Sequence, residues 1–167
     1  MEYKSTFHVE ADSGDPNKNV ETAAIKSVAG FLNSWDGGTL LLGVAEDEAG
    51  RGVPFGMEGD YAKYRKEGKA DDDMFLLAFN DKLKHSLGAA AVSNVTTEVL
   101  GVDGKDAVRV HVRPCGFPVE AKVVEIDKKG QHHKKTNRYA RINNATHKFV
   151  NDDEWEKFKS QRWPGQA

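Results

Sequence analysis

The stretch from Asn17 to Val44 limits the fold more than any other part of the chain. Between Asn17 and Leu32, apolar Val20, Ala24, Ile25, Val28, Phe31 and Leu32 recur at three- and four-residue intervals, the spacing that lines one face of an α-helix. Gly37-Gly38 ends that period. Thr39-Leu40-Leu41-Leu42-Gly43-Val44 then follows as an unbroken apolar run, which predicts a strand covered on both faces and central in its sheet.

The flanking segments read as further alternating elements. Glu2–Phe7 has the composition of a first strand, and Asp12–Lys18, with its Gly, Pro and Asn, reads as a loop. Gly50, Gly52, Gly56 and Gly59 punctuate a loop in which Val53-Pro54-Phe55 forms a short edge strand. Tyr61–Ala70 reads as a solvated turn or short helix. A second amphipathic helix follows at Asp72–Leu87, carrying Phe75, Leu76, Phe79 and Leu83, with Gly88 as its stop. Val95–Leu100 and Ala107–Val112 form a hairpin across Asp103-Gly104. Val119–Ile126 and Asn137–Ile142 read as another strand pair joined by a polar tip, Asp127–Thr136, and Asp152–Gln161 as a short C-terminal helix. This order predicts an α+β fold: a mixed sheet with a long first helix, a second amphipathic helix and a short terminal one.

With 167 residues the chain has room for one buried core, so residues 1–167 read as a single domain. No run approaches the roughly 20 apolar residues that span a bilayer, and the start lacks signal-peptide order, so a cytoplasmic protein without membrane contact is expected. Cys115 is the sole cysteine, which excludes an internal disulfide framework. The net charge of −2 gives no overall attraction to a polyanion, so any such attraction has to be local. Bases concentrate between Lys128 and Arg141.

Three segments, in order, resemble the Schlafen AlbA-type family. Glu2-Tyr3-Lys4-Ser5 is similar to its Glu-Phe-Lys opening. The run from Ala29-Gly30-Phe31-Leu32-Asn33-Ser34 through Gly37-Gly38 to Gly43-Val44 is similar to its Asn, Gly-Gly, hydrophobic and Gly-Val core. Tyr139-Ala140-Arg141-Ile142-Asn143-Asn144-Ala145-Thr146 is similar to its Tyr-x-Arg element. The resemblance implies a nucleic-acid-associated module acting on DNA or RNA, and in some members a metal-dependent endonuclease that uses three carboxylates. Of those three, the second maps to Glu2, the first would precede Met1, and the position after Val44 is Ala45, with Glu46 and Asp47 next to it. That mapping predicts a domain of a larger protein with an upstream fused part.

Candidate residues follow. For a nuclease, Glu2, Glu46 and Asp47 are the catalytic and metal-binding carboxylates, with Mg²⁺ or Mn²⁺ as the ion. For a binding module, which needs no cofactor, the phosphate contacts are Lys4, Lys26, Lys134, Lys135, Arg138 and Arg141. The glycines Gly37 and Gly38 admit a close backbone approach, or else simply make a tight turn. Strand alternation places Tyr139 beside Arg141, as a stacking ring or as sheet packing. Three function classes stay open: a nucleic-acid-binding module, a divergent metal-dependent nuclease, and an interaction domain that self-associates.

Overall fold

The computed structural model describes residues 1–166 and shows the expected α+β architecture with a mixed sheet. Strand β1 (Glu2–Lys4) leads through a loop into helix α1 (Lys18–Asn33), and β2 (Gly38–Leu42) returns parallel to β1. The side chain of Asn17 caps α1 by accepting the Asn19 N–H at 2.8 Å. After β3 (Val44–Glu46) and β4 (Gly52–Pro54), which pair only with each other, come α2 (Glu58–Tyr64), α3 (Asp71–Leu87) and the single turn α4 (Ala89–Val92). The hairpin β5 (Val95–Val102) and β6 (Lys105–Val112) completes the main sheet in the order β1-β2-β6-β5. Two more hairpins follow, β7 (Ala121–Ile126) with β8 (His132–Asn137) and β9 (Tyr139–Ile142) with β10 (Ala145–Lys148), before α5 (Asp152–Arg162).

Burial explains the layering. The α1 stripe of Ala24, Ile25, Val28 and Leu32 meets Leu40 and Leu42 of β2, Val108 and Val110 of β6, and the aromatic face of α3, Phe75 and Phe79. Phe7 locks these layers by packing edge-on against both Phe75 and Phe79. A second apolar cluster of Ala140, Phe149, Trp155, Phe158 and Trp163 fixes α5 on the β9–β10 hairpin. Arg162 and Trp163 both donate to the Cys115 carbonyl, at 3.0 and 2.9 Å.

Several expectations need correction. The apolar run Thr39–Val44 is broken at Gly43, whose φ of 77° turns the chain out of the main sheet into β3. It is central, but only Leu40 and Leu42 are fully buried; the opposite face of the sheet carries Thr39, Glu98, Arg109 and His111 and is open. The first strand ends at Lys4, because Phe7 leaves the sheet to enter the core. The short helix expected within Tyr61–Ala70 forms earlier, at Glu58–Tyr64, where buried Asp60 accepts the N–H groups of Phe7 and His8 at 2.7 and 2.8 Å.

The partner of β7 is His132–Asn137, not Asn137–Ile142, and the turn shrinks to the residues around Asp127 and Gly130. The polar run His132–Thr136 has no hydrophobic alternation because β8 is the outer strand of its hairpin, with all five residues exposed, while β7 buries Ala121 and Val123. No helix among the described residues is long and apolar enough to cross a membrane.

Candidate nucleic-acid interface

Five lysines from two helices and one hairpin surround a groove of about 300 Å³: Lys18 at the start of α1, Lys82 on α3, Lys122 on β7, and Lys134 and Lys135 on β8. Ribbon pairing sets the last three, with Lys122 opposite Thr136, Val124 opposite Lys134 and Val123 opposite Lys135. The Thr22 hydroxyl donates to the Val124 carbonyl at 2.7 Å and so ties the ribbon to α1. A single carboxylate, Glu21, lines the groove, so five ammonium groups against one carboxylate leave four net positive charges.

Glu21 is nearly buried. It meets His8 Nδ1 at 2.7 Å, with no other partner for either of those atoms, and reaches Lys18 at 3.5 Å and Lys82 at 3.8 Å. Burial pushes its carboxyl up, but His8, Lys82 and Lys18 together outweigh that and hold it below the ordinary glutamate range. Lys135 is drawn to Glu125 at 3.2 Å. Lys122 and Lys134 form no ion pair among the described residues and are the uncommitted cations of the groove.

A second groove, about 550 Å³, lies on the other flank of α1 and gathers Glu2, Lys4, Lys26, Glu46 and Arg141. Glu2 is fully engaged there: Ser27 Oγ donates to Oε1 at 2.6 Å, Lys4 lies 3.2 Å from the same oxygen, and Arg141 Nη1 donates to Oε2 at 2.7 Å. Burial pushes this carboxyl up, yet these three donors hold it below the ordinary range. Asp47 turns away. It closes the β3–β4 hairpin by accepting the N–H groups of Ala49 and Arg51 and the Arg51 side chain, each at 2.9 Å, and the Arg51 contacts hold its carboxyl low.

As arranged here, these residues offer a Mg²⁺ or Mn²⁺ ion a poor ligand set. Such a cation takes about six oxygen ligands, as a rule one or two protein carboxylates with waters and substrate phosphates making up the rest. Here Ser27 and Arg141 already donate to the two oxygens of Glu2, Asp47 is committed to its own turn, and Glu46 remains as the other carboxylate of the groove. No cluster of three or more His, Cys, Asp or Glu side chains able to hold a metal occurs among the described residues.

The sequence model of the Schlafen, AlbA_2 family matches residues 1–150. The chain belongs to the Schlafen AlbA_2 family. Membership links it to a nucleic-acid-related function at the level of the family. Among solved structures, the crystal structure of the DIP2311 protein from Corynebacterium diphtheriae superposes with a TM-score of 0.56 at 15% identity, over 97% of this chain and 28% of that one. That likeness shows a shared fold, and the chain spans little more than a quarter of the DIP2311 chain. No curated protein matches the sequence.

Within this Schlafen AlbA_2 chain, the residues singled out from sequence separate into distinct places. Lys4, Lys26, Glu2, Glu46 and Arg141 share one groove, while Lys134 and Lys135 line the other. Gly37 and Gly38 are explained by packing: a Cβ on Gly37, at φ 69°, would lie 2.1 Å from the Val112 carbonyl oxygen, and one on Gly38 would lie 2.2 Å from the Phe31 ring. Arg138 belongs to the α5 contact, paired with Asp152 and 5.9 Å from the Trp155 ring. Tyr139 is buried, its hydroxyl accepting from Asn137 at 2.8 Å, so its ring is sheet packing and offers no stacking surface. Lys18, Lys82 and Lys122 were missed. Nothing local marks them, because only the tertiary fold brings α1, α3 and β7 together.

Proposed function

We propose that the chain is a nucleic-acid-binding module that holds the phosphate backbone in the five-lysine groove and does not cut it. The observation that carries this is the convergence of Lys18, Lys82, Lys122, Lys134 and Lys135 around one groove of a protein whose net charge is −2. An acidic molecule that concentrates positive charge in one place gains attraction to a polyanion there and repels it elsewhere. Ammonium groups contact phosphate as point charges without reading bases, so the binding is expected to be indifferent to base sequence. The family's link to nucleic acid supports the same reading.

The metal-dependent nuclease is disfavoured by the engagement of Glu2 with Arg141 and Ser27. Binding of this kind requires no divalent ion. Fluorescence anisotropy with duplex DNA, single-stranded DNA and a structured RNA, with and without Mn²⁺, followed by a gel of the same samples, tests both halves. Binding that is independent of Mn²⁺, intact probes, and loss of binding in Lys122→Glu/Lys134→Glu are expected. Probe cleavage that requires Mn²⁺ and disappears in Glu2→Gln would overturn the non-cleaving half.

A further inference from the structure

Trp35 is the one tryptophan left open, 54% exposed, whereas Trp155 and Trp163 are buried. This indole is held in place from several sides. Its backbone lies in the turn fixed by Ser34, whose hydroxyl donates to the Phe31 carbonyl at 2.8 Å and accepts the Gly37 N–H at 2.9 Å. Its ring stands edge-on to Phe158, centroids 5.5 Å apart, and the Arg162 guanidinium lies 5.9 Å from its centroid. Arg162 is itself held by the carbonyls of Ser34 and Cys115.

The ring lines a groove of about 550 Å³, within the roughly 300–1,000 Å³ of pockets that take small organic groups. Asp36, Asn143, Asn144 and Gln161 around it offer donors and acceptors suited to a base edge. This groove and the Glu2 groove share Arg141 on their rims. Arg141 donates Nη1 to Glu2 and lies 5.3 Å from the Phe31 ring centroid, and its Nε and Nη2 make no hydrogen bond among the described residues.

We propose that Trp35 is a base-stacking platform, with Arg141 on the adjoining phosphate, and that this makes the chain a binder of single-stranded nucleic acid. The proposal rests on the nucleic-acid-binding reading but uses a different surface from the lysine groove. A duplex keeps its bases stacked on each other and has none to give Trp35, whereas a flexible strand does.

The test titrates wild type, Trp35→Ala, Trp35→Phe and Lys122→Glu/Lys134→Glu with oligo-dT, oligo-U and duplex DNA, and follows tryptophan emission. Loss of one base stack is expected to weaken the single strands by about tenfold in Trp35→Ala, with Trp35→Phe retaining most of the affinity and the duplex unchanged. Emission of wild type should be quenched by oligo-dT or oligo-U, with that quenching absent in Trp35→Phe. Unchanged single-strand affinity in Trp35→Ala, or equal weakening of the duplex, overturns the proposal. Loss through the lysine variant alone leaves the groove reading standing and this one refuted; loss through Trp35→Ala alone does the reverse.

Discussion

Replacing Asn33 by alanine is expected to cost about 4 kcal/mol, although the residue touches no ligand. Its side chain is fully buried at the end of α1, where Nδ2 donates to the carbonyls of Val119 at 2.8 Å and Tyr139 at 2.7 Å, while Oδ1 accepts the Val119 N–H at 2.9 Å. One amide thus joins the helix to the segment entering β7 and to β9, the elements that shape both grooves. Three such bonds contribute about 1 kcal/mol each, and the buried Val119 N–H left without a partner adds roughly another. The assay is urea unfolding followed by circular dichroism, comparing midpoints at constant slope. Asn33→Asp keeps the acceptor but loses both donors and sets a carboxylate against two carbonyl oxygens, so it should be at least as unstable at neutral pH and partly recover in acid. A loss below about 1 kcal/mol in Asn33→Ala would refute the three-bond clasp.

Three other outcomes follow from the geometry. Glu21→Gln should destabilise the fold by roughly 1–3 kcal/mol through loss of its ion pairs with His8, Lys18 and Lys82, yet bind DNA more tightly because the groove loses its one negative charge; melting and anisotropy on the same sample check the opposed signs. Glu2, Glu21 and Glu125 all have carboxyls held below the ordinary range, so the stability they confer is complete above about pH 4.3 and is lost as the pH falls through their lower folded values. Thermal melts in increasingly acid buffer should show that loss, with a shallower dependence in Glu21→Gln. Gly37→Ala should lose at least about 2 kcal/mol in denaturant, since its Cβ meets the Val112 carbonyl and its φ of 69° is strained for alanine.

The segment Asn17–Val44 was legible because its information is local: the helix period, the glycine break and the apolar run each declare themselves within a few residues. Even there, Gly43 redirects the strand for a tertiary reason, since its carbonyl accepts the N–H groups of Phe55 and Gly56 at 2.8 and 2.9 Å. Strand β8 was hidden because it is the outer strand of its hairpin, and no core imposes alternation on His132–Thr136. Alternation placed Tyr139 and Arg141 on a common face, but it could not show that this face packs against α1 and buries the tyrosine. Lys134 and Lys135 stood out as a basic run, whereas Lys18, Lys82 and Lys122 are single lysines in ordinary amphipathic surroundings and become a site only where the fold brings them together.

The lysine groove is tested most directly by the salt dependence of duplex DNA binding in wild type and in Lys122→Glu/Lys134→Glu. If the groove holds the backbone, the logarithm of the wild-type association constant should fall with the logarithm of salt concentration at a slope between about −2 and −4.5, for two to five phosphates neutralised. The double variant should bind far more weakly, with its slope flattened by about two. A variant that kept the wild-type affinity and slope would place the phosphates elsewhere on the molecule and contradict the account.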